Sequence, residues 1–181
     1  RDDSWKRKYE TPGAVDEPPG FPSPRGWSGA TLAQLSWTSG YGTSTKCDYG
    51  ASGPPVLRIP NVEKARIDLS DLKFAVAPDA VAGDAPLERG DFLVVRTNGS
   101  RALIGRGALV REALSRPHHF ASYLIRFRLV AGAFSEGWLS IVWQTPQVRA
   151  ELEGKAATSA GQYNLSLTSL LPTRVPLPPL A

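Results

Sequence analysis

The chain has 181 residues, 41% of them hydrophobic and 21% charged, with a net charge of +4. That balance suits one globular domain with a real core and argues against a disordered or fibrous chain. A single cysteine, Cys47, excludes an internal disulfide and a Cys-rich zinc site, and no apolar run approaches membrane-spanning length, so a cytoplasmic protein without membrane contact is expected.

Residues 1–26 read as an arm, because Pro12, Pro18, Pro19, Pro22 and Pro24 with Gly13, Gly20 and Gly26 interrupt regular structure. No methionine occurs anywhere, and the expectation is a piece of a longer protein, cut at both ends. Trp27 is the first candidate core anchor. Leu32 and Leu35, three apart, predict a short helix over 30–35. Residues 37–53 are rich in Gly, Ser, Thr and Tyr and read as a long polar loop. Residues 56–59 form a short strand stopped by Pro60, followed by extended pieces over 65–69 and 71–76 and a loop over 78–88 with room for a helical turn.

Residues 90–110, GDFLVVRTNGSRALIGRGALV, carry two apolar runs around Asn98-Gly99. Asn-Gly between such runs predicts a tight type I′ hairpin, since both central residues of that turn need positive φ. Arg96, Thr97, Asn98, Ser100, Arg101 and Arg106 cluster at this tip. Their guanidinium, amide and hydroxyl groups are those that grip phosphates and read base edges, although a solvated polar turn has the same composition.

Residues 122–129 alternate, with Tyr123, Ile125, Phe127 and Leu129 on one face and Ser122, Arg126 and Arg128 on the other, Leu124 being the exception. A helix over 134–144 follows. Thr145-Pro146 supplies an N-cap and a first-turn proline for a second helix to Lys155. Residues 156–162 read as a small-residue loop, Asn164 or Ser166 as the cap of a short helix to Leu171, and residues 174–177 as a final strand. Strands first and helices later, without β-α-β alternation, predict an α+β fold.

Between Arg96 and Arg128 seven arginines face a single acid, Glu112. Such a block fits an anionic partner and planar, bidentate contacts. It equally fits arginine stems laid over aromatic and apolar surface.

No catalytic constellation stands out. His118 and His119 are adjacent and point apart, so they cannot form a two-histidine metal face by themselves. Cys47 beside Lys46 has room for a depressed pKa, but no pattern marks it as a nucleophile. The sequence lacks H-E-x-x-H, a nucleophile elbow, an EF-hand loop, a phosphate-binding glycine loop and a methyltransferase N-P-P-Y motif. Asp68, Asp71 and His119 are the residues from which a small hydrolase cleft could be built.

The order of segments as a whole resembles a target recognition domain of the specificity subunit of type I restriction–modification systems. The matching pieces are GWSGATLAQL (26–35), SGYGTSTK (39–46), PPVLRIPNVEKARIDLSDLKF (54–74), LERGDFLVVRTNGSRALIGRGALV (87–110), FASYLIRFRL (120–129), WLSIVWQTPQVRAEL (138–152) and SAGQYNLSLTSLLPTRVPLPPLA (159–181). No single piece is diagnostic; their order and spacing are. The resemblance implies an α+β fold: a twisted antiparallel or mixed sheet, or half-barrel, of short strands followed by a helical hairpin. Residues 1–26 would be the linker from a preceding helix and 27–181 one recognition domain, the second of two. The implied function is non-catalytic recognition of one half of a bipartite double-stranded DNA target. Methyl transfer and cleavage would belong to partner modification and restriction subunits, and no cofactor or metal is expected. The candidate contact set is Tyr41, Thr43, Ser44, Lys46, Arg58, Arg96, Thr97, Asn98, Ser100, Arg101, Arg106, Gln162 and Asn164, of which Tyr41 and Gln162–Asn164 rest on the resemblance. Arg96 has a second reading, as a structural arginine tied to Asp91 or Asp71. The alternative function is a protein-interaction domain whose arginines meet an acidic partner.

Overall fold

The computed structural model describes residues 24–63, 65–159 and 161–179. The expected arm falls almost wholly outside them. The fold is α+β, with mixed, open sheets.

Fifteen short strands, three α-helices and two 3-10 turns, Ile59–Asn61 and Pro78–Val81, appear among the described residues. In chain order the first seven strands are β1 (Ser28–Thr31), β2 (Ser36–Tyr41), β3 (Cys47–Asp48), β4 (Pro55–Leu57), β5 (Val62–Glu63), β6 (Ala65–Ile67) and β7 (Lys73–Ala75). Then come β8 (Asp91–Val95), β9 (Thr97–Asn98), β10 (Gly107–Leu109), β11 (His119–Phe120) and β12 (Leu124–Leu129). Helices α1 (Glu136–Val142) and α2 (Pro146–Lys155) precede β13 (Ala157–Ser159) and β14 (Gln162–Asn164), and α3 (Leu167–Leu170) precedes β15 (Arg174–Leu177).

A six-stranded sheet in the order β2-β12-β8-β10-β6-β5 forms the centre. Strand β8 is buried along its whole length because both faces of this sheet are covered. Phe92 and Val94 point into the larger core with Ile125, Phe127, Leu139, Trp143, Val148 and Leu152. Leu93 and Val95 point the other way, into a second core with Leu57, Val62, Phe120 and Leu124. This explains Leu124, the odd residue in the alternation of 122–129: it belongs to the second core. Each fully buried side chain of this size is worth about 1.5–3 kcal/mol.

Trp143 locks the helices to the sheet. Its ring meets Phe92 edge-on at 5.2 Å, and its indole N–H donates to the Gly105 carbonyl at 2.9 Å. Gly107 lies beneath this pair. A Cβ there would stand 2.5 Å from Phe92 and 2.6 Å from Trp143, so any larger residue would push the two rings apart. The Thr145 hydroxyl caps α2 by accepting from the Val148 amide, and Pro146 occupies the first turn, as the sequence predicts. Ser166 likewise caps α3, and β15 forms where expected, antiparallel to β1.

Four expectations fail. Residues 30–35 are no helix: β1 runs to Thr31, and a single turn then buries Leu32 and Leu35. The polar stretch 37–53 is not one loop, since it holds β2, an edge strand whose polar, exposed residues hide its pairing with β12. Residues 156–162 are not a loop either, since β13 and β14 pair there. The fourth concerns Asn98-Gly99. Strands β8 and β10 are antiparallel, with Val94 opposite Gly107, but residues 96–106 connect them. Neither Asn98 nor Gly99 has positive φ, so there is no type I′ turn. Thr97 and Asn98 instead leave the hairpin to pair with β14, Thr97 opposite Asn164 and Asn98 opposite Tyr163.

Candidate nucleic-acid interface

The polar face is assembled where the three-stranded sheet β13-β14-β9 joins the end of the central sheet. Arg96 is the joint. Its amide donates to the Tyr123 carbonyl at 2.9 Å, and its carbonyl accepts from the Leu165 amide at 2.7 Å. Its guanidinium donates to the Ser122 carbonyl at 3.3 Å and the Leu165 carbonyl at 3.4 Å, and lies 4.8 Å above the Tyr41 ring. The Tyr41 hydroxyl in turn accepts from the Leu167 amide at 3.2 Å. Arg96 is therefore structural, as its second reading held, but its partners are carbonyls and a ring rather than Asp91 or Asp71. Those carboxylates belong to other arginines.

Around this joint the polar side chains converge. Thr97 donates its hydroxyl hydrogen to the side-chain oxygen of Asn164. The Asn98 side chain accepts from the Ser100 amide at 2.7 Å, an Asx turn that holds the start of the 96–106 connection. Thr97, Asn98, Gly99, Tyr123, Gln162 and Ile59 line a shallow cavity of about 160 Å³. Arg101 is exposed, with its guanidinium 5.6 Å from the centre of the Tyr163 ring.

A strap over residues 42–46 extends the face beyond Tyr41. The Thr43 amide donates to Phe120 and its carbonyl accepts from Ser122. Gly42 is pressed against the same segment, where a Cβ would lie 2.1 Å from the Phe120 carbonyl oxygen. The Thr43 hydroxyl caps the Thr45 amide, and Ser44 and Lys46 are exposed.

Thus Tyr41, Arg96, Thr97, Asn98, Ser100, Arg101, Gln162 and Asn164 are linked around this joint by hydrogen bonds, ladder pairs, ring contacts or the shared cavity, while Thr43, Ser44 and Lys46 lie along the strap that follows Tyr41. Two candidates do not join this face freely. Arg58 forms an ion pair with Asp71 at 3.1 Å. That pair sits in a loop organised by buried Asn61, which accepts from the Arg58 amide and donates to the Asp68 and Asp71 carbonyls. Arg106 stands near Arg149 of α2, where like charge adds to burial in lowering the Arg149 pKa.

Tyr123 and Tyr163 are absent from the sequence-based set. The alternation of 122–129 places Tyr123 with the core residues, yet it precedes β12 and is 54% exposed. Tyr163 carried a signal in its neighbours, since it lies between Gln162 and Asn164.

The arginine block divides. Arg126 packs over Phe120 and donates to the Ala85 and Pro86 carbonyls. Arg116 packs over Phe74. Arg128 makes a two-pronged ion pair with fully buried Asp91, at 2.9 and 3.1 Å, directly across the β12–β8 ladder. That pairing raises the Arg128 pKa. Guanidinium groups over rings, at Arg96, Arg101, Arg116 and Arg126, account for most of the block.

The hydrolase cleft is not assembled. Asp71 is held by Arg58, Asp68 accepts from the Ser70 amide at 2.9 Å, and His119 lines a separate cavity of about 80 Å³ with Asp84 and Thr43. Both histidines are buried, which makes them structural rather than surface groups. Burial raises the Cys47 thiol pKa more than Arg58 and Lys73 lower it, contrary to the expected depression. Among the described residues no group of three His, Cys, Asp or Glu side chains could hold a metal ion, and no helix is long and apolar enough to cross a membrane.

No protein-family model matches the chain. It is similar to the specificity subunit of the type I restriction enzyme EcoKI from Escherichia coli K12, with 29% identity over 139 residues. That match covers 77% of this chain and 30% of the relative. It is also 26% identical over 155 residues to the StySPI specificity subunit from Salmonella potsdam, covering 86% of this chain and 33% of the relative. The chain therefore spans about a third of the length of these relatives. Among solved structures it superposes on a chain described in work on complex assembly and conformational transition of a type I R-M system, with TM-score 0.59 and 17% identity. There it covers 98% of this chain and 38% of that one. The HsdS subunit from Thermoanaerobacter tengcongensis matches with TM-score 0.55 and 17% identity, over 89% of this chain and 35% of that one. The type I S subunit from M. genitalium matches with TM-score 0.53 and 8% identity, over 90% and 36%. These structural likenesses establish a shared fold.

Proposed function

We infer that this chain, a homologue of type I restriction enzyme specificity subunits, is a target recognition domain that binds double-stranded DNA sequence-specifically and reads one half of a bipartite site. The reading includes no catalytic role for the chain. Methyl transfer and cleavage are assigned to modification and restriction subunits that would assemble with the complete specificity subunit.

The observation that carries this reading is the convergence of the Asn98 and Gln162 amides with the Thr97 and Tyr123 hydroxyls around one shallow cavity. Base edges present both donors and acceptors, and side-chain amides offer both in return. The exposed Lys46 of the strap suits the phosphates that fix register. Arg96 and Tyr41 hold this face to the central sheet, which keeps it rigid enough to discriminate.

The test is DNA binding by the complete specificity subunit assembled with its modification partners. Asn98→Ala and Gln162→Ala should each weaken binding to the target by about 1–3 kcal/mol and leave binding to unrelated duplex unchanged. Equal losses on target and unrelated DNA would remove base reading from this face. An unchanged affinity for both would remove the face from the interface.

A further inference from the structure

Arg101 stands apart from the other arginines of its block. Among the described residues no carboxylate pairs with it. Its guanidinium carbon lies 5.6 Å from the centre of the Tyr163 ring. Arg96, the other arginine of this face, donates to two carbonyls and lies over the Tyr41 ring. Arg126 and Arg128 donate to the 85–91 segment. Arg101 is therefore the arginine of this face with its hydrogen-bonding edge uncommitted.

An arginine resting on an aromatic face loses less freedom when it binds, and its planar fork is presented in one orientation. Tyr163 is itself fixed, because it pairs with Asn98 and Thr158 in the β9-β14-β13 sheet and packs against the larger core. The fork thus has a rigid platform, and that platform lies opposite Asn98 in the ladder and next to Gln162 in β14, the two amide residues that line the cavity. The Asn98 oxygen already accepts from the Ser100 amide, but a phosphate offers only acceptors and would leave the Gln162 amide oxygen unanswered, whereas base edges answer donors and acceptors together. The acceptor pair that matches a fork in the major groove is O6 and N7 of guanine.

We propose that Arg101, braced on Tyr163, is a specificity-determining residue that selects a guanine within the half-site, with Tyr163 as its positioning residue. The proposal rests on the reading of this face as a DNA-recognition surface.

The experiment selects bound duplexes from a randomised pool with the complete subunit assembled with its modification partners, then sequences them. Wild type should recover a motif with one guanine position that Arg101→Ala and Tyr163→Leu both flatten, by about 5- to 150-fold in preference, leaving the other positions intact. Tyr163→Phe, which keeps the ring, should retain the wild-type motif. Arg101 is exposed, so its arm of the test does not depend on how Tyr163→Leu folds. A uniform loss of affinity in Arg101→Ala with an unchanged motif, and a salt slope lower by about one, would make Arg101 a phosphate contact and overturn the proposal. A motif unaffected by Arg101→Ala would also overturn it. If wild type recovers no motif at all, the recognition reading itself fails, and this result is distinct from the other two.

Discussion

Arg96→Ala separates bracing from reading. The side chain makes two hydrogen bonds to carbonyls at 3.3 and 3.4 Å and one stacking contact at 4.8 Å. Both hydrogen bonds are long, so each is taken at about 1 kcal/mol although the donor is charged. The cation–π contact with half-exposed Tyr41 adds about 0.5–1 kcal/mol. Losing all three should cost about 2–3 kcal/mol. For a chain of this size that lowers the urea midpoint by roughly 1–2 M, followed by tryptophan fluorescence. Tyr41→Leu removes the ring and should cost less. The double variant should lose less than the sum of the two, because the stacking contact can be lost only once. Arg101→Ala, exposed and without an ion pair, should leave the midpoint within about 0.5 kcal/mol of wild type. An Arg96→Ala protein with an unshifted midpoint and lost DNA affinity would refute the reasoning, because Arg96 would then touch DNA rather than hold the sheets together.

Other perturbations have equally definite outcomes. Asp91→Asn leaves Arg128, about a quarter exposed and still paired with Glu88 at 3.0 Å, facing a neutral group and should cost about 1–3 kcal/mol in urea unfolding. A loss under 1 kcal/mol would mean that solvent already screens the pair. Thr145→Ala removes the cap of α2 and should cost about 1 kcal/mol, with Thr145→Ser close to wild type. His119 has its pKa lowered by burial, with Asp84 opposing the shift and His118 reinforcing it. The unfolded chain then binds the proton at higher pH than the folded one, so stability should fall as pH drops below the ordinary histidine value of 6.5. His119→Gln should flatten that part of the profile; an identical slope in the variant would assign it to other groups.

Local chemistry in the sequence revealed local structure. The Thr145-Pro146 cap, the Ser166 cap, the β15 strand and the alternation leading into β12 all rest on contacts within a few residues, and all are present. Asn98-Gly99 misled because β9 finds its partner in β14, more than sixty residues later, and that ladder overrides the turn preference of the dipeptide. Strand β2 was hidden by its position at a sheet edge, where exposed Trp37 and Thr38 remove the alternation that marks a half-buried strand. The candidate set named polar residues around 96–101 and 162–164 that the fold brings together, but not the different contacts they make. Whether an arginine rests on a ring, grips a carboxylate or faces solvent depends on neighbours brought together by folding. So Arg96, Arg101 and Arg128 look alike in the sequence and differ in the structure.

The most direct measurement compares the methylated positions in the genome of a host carrying the complete gene, with its modification partner, against the same host without it. The account predicts a bipartite motif that appears only with the gene, one half of which changes when Asn98, Arg101 or Gln162 is replaced. A methylation pattern that is indifferent to the gene, or a motif unaltered by all three replacements, would contradict it.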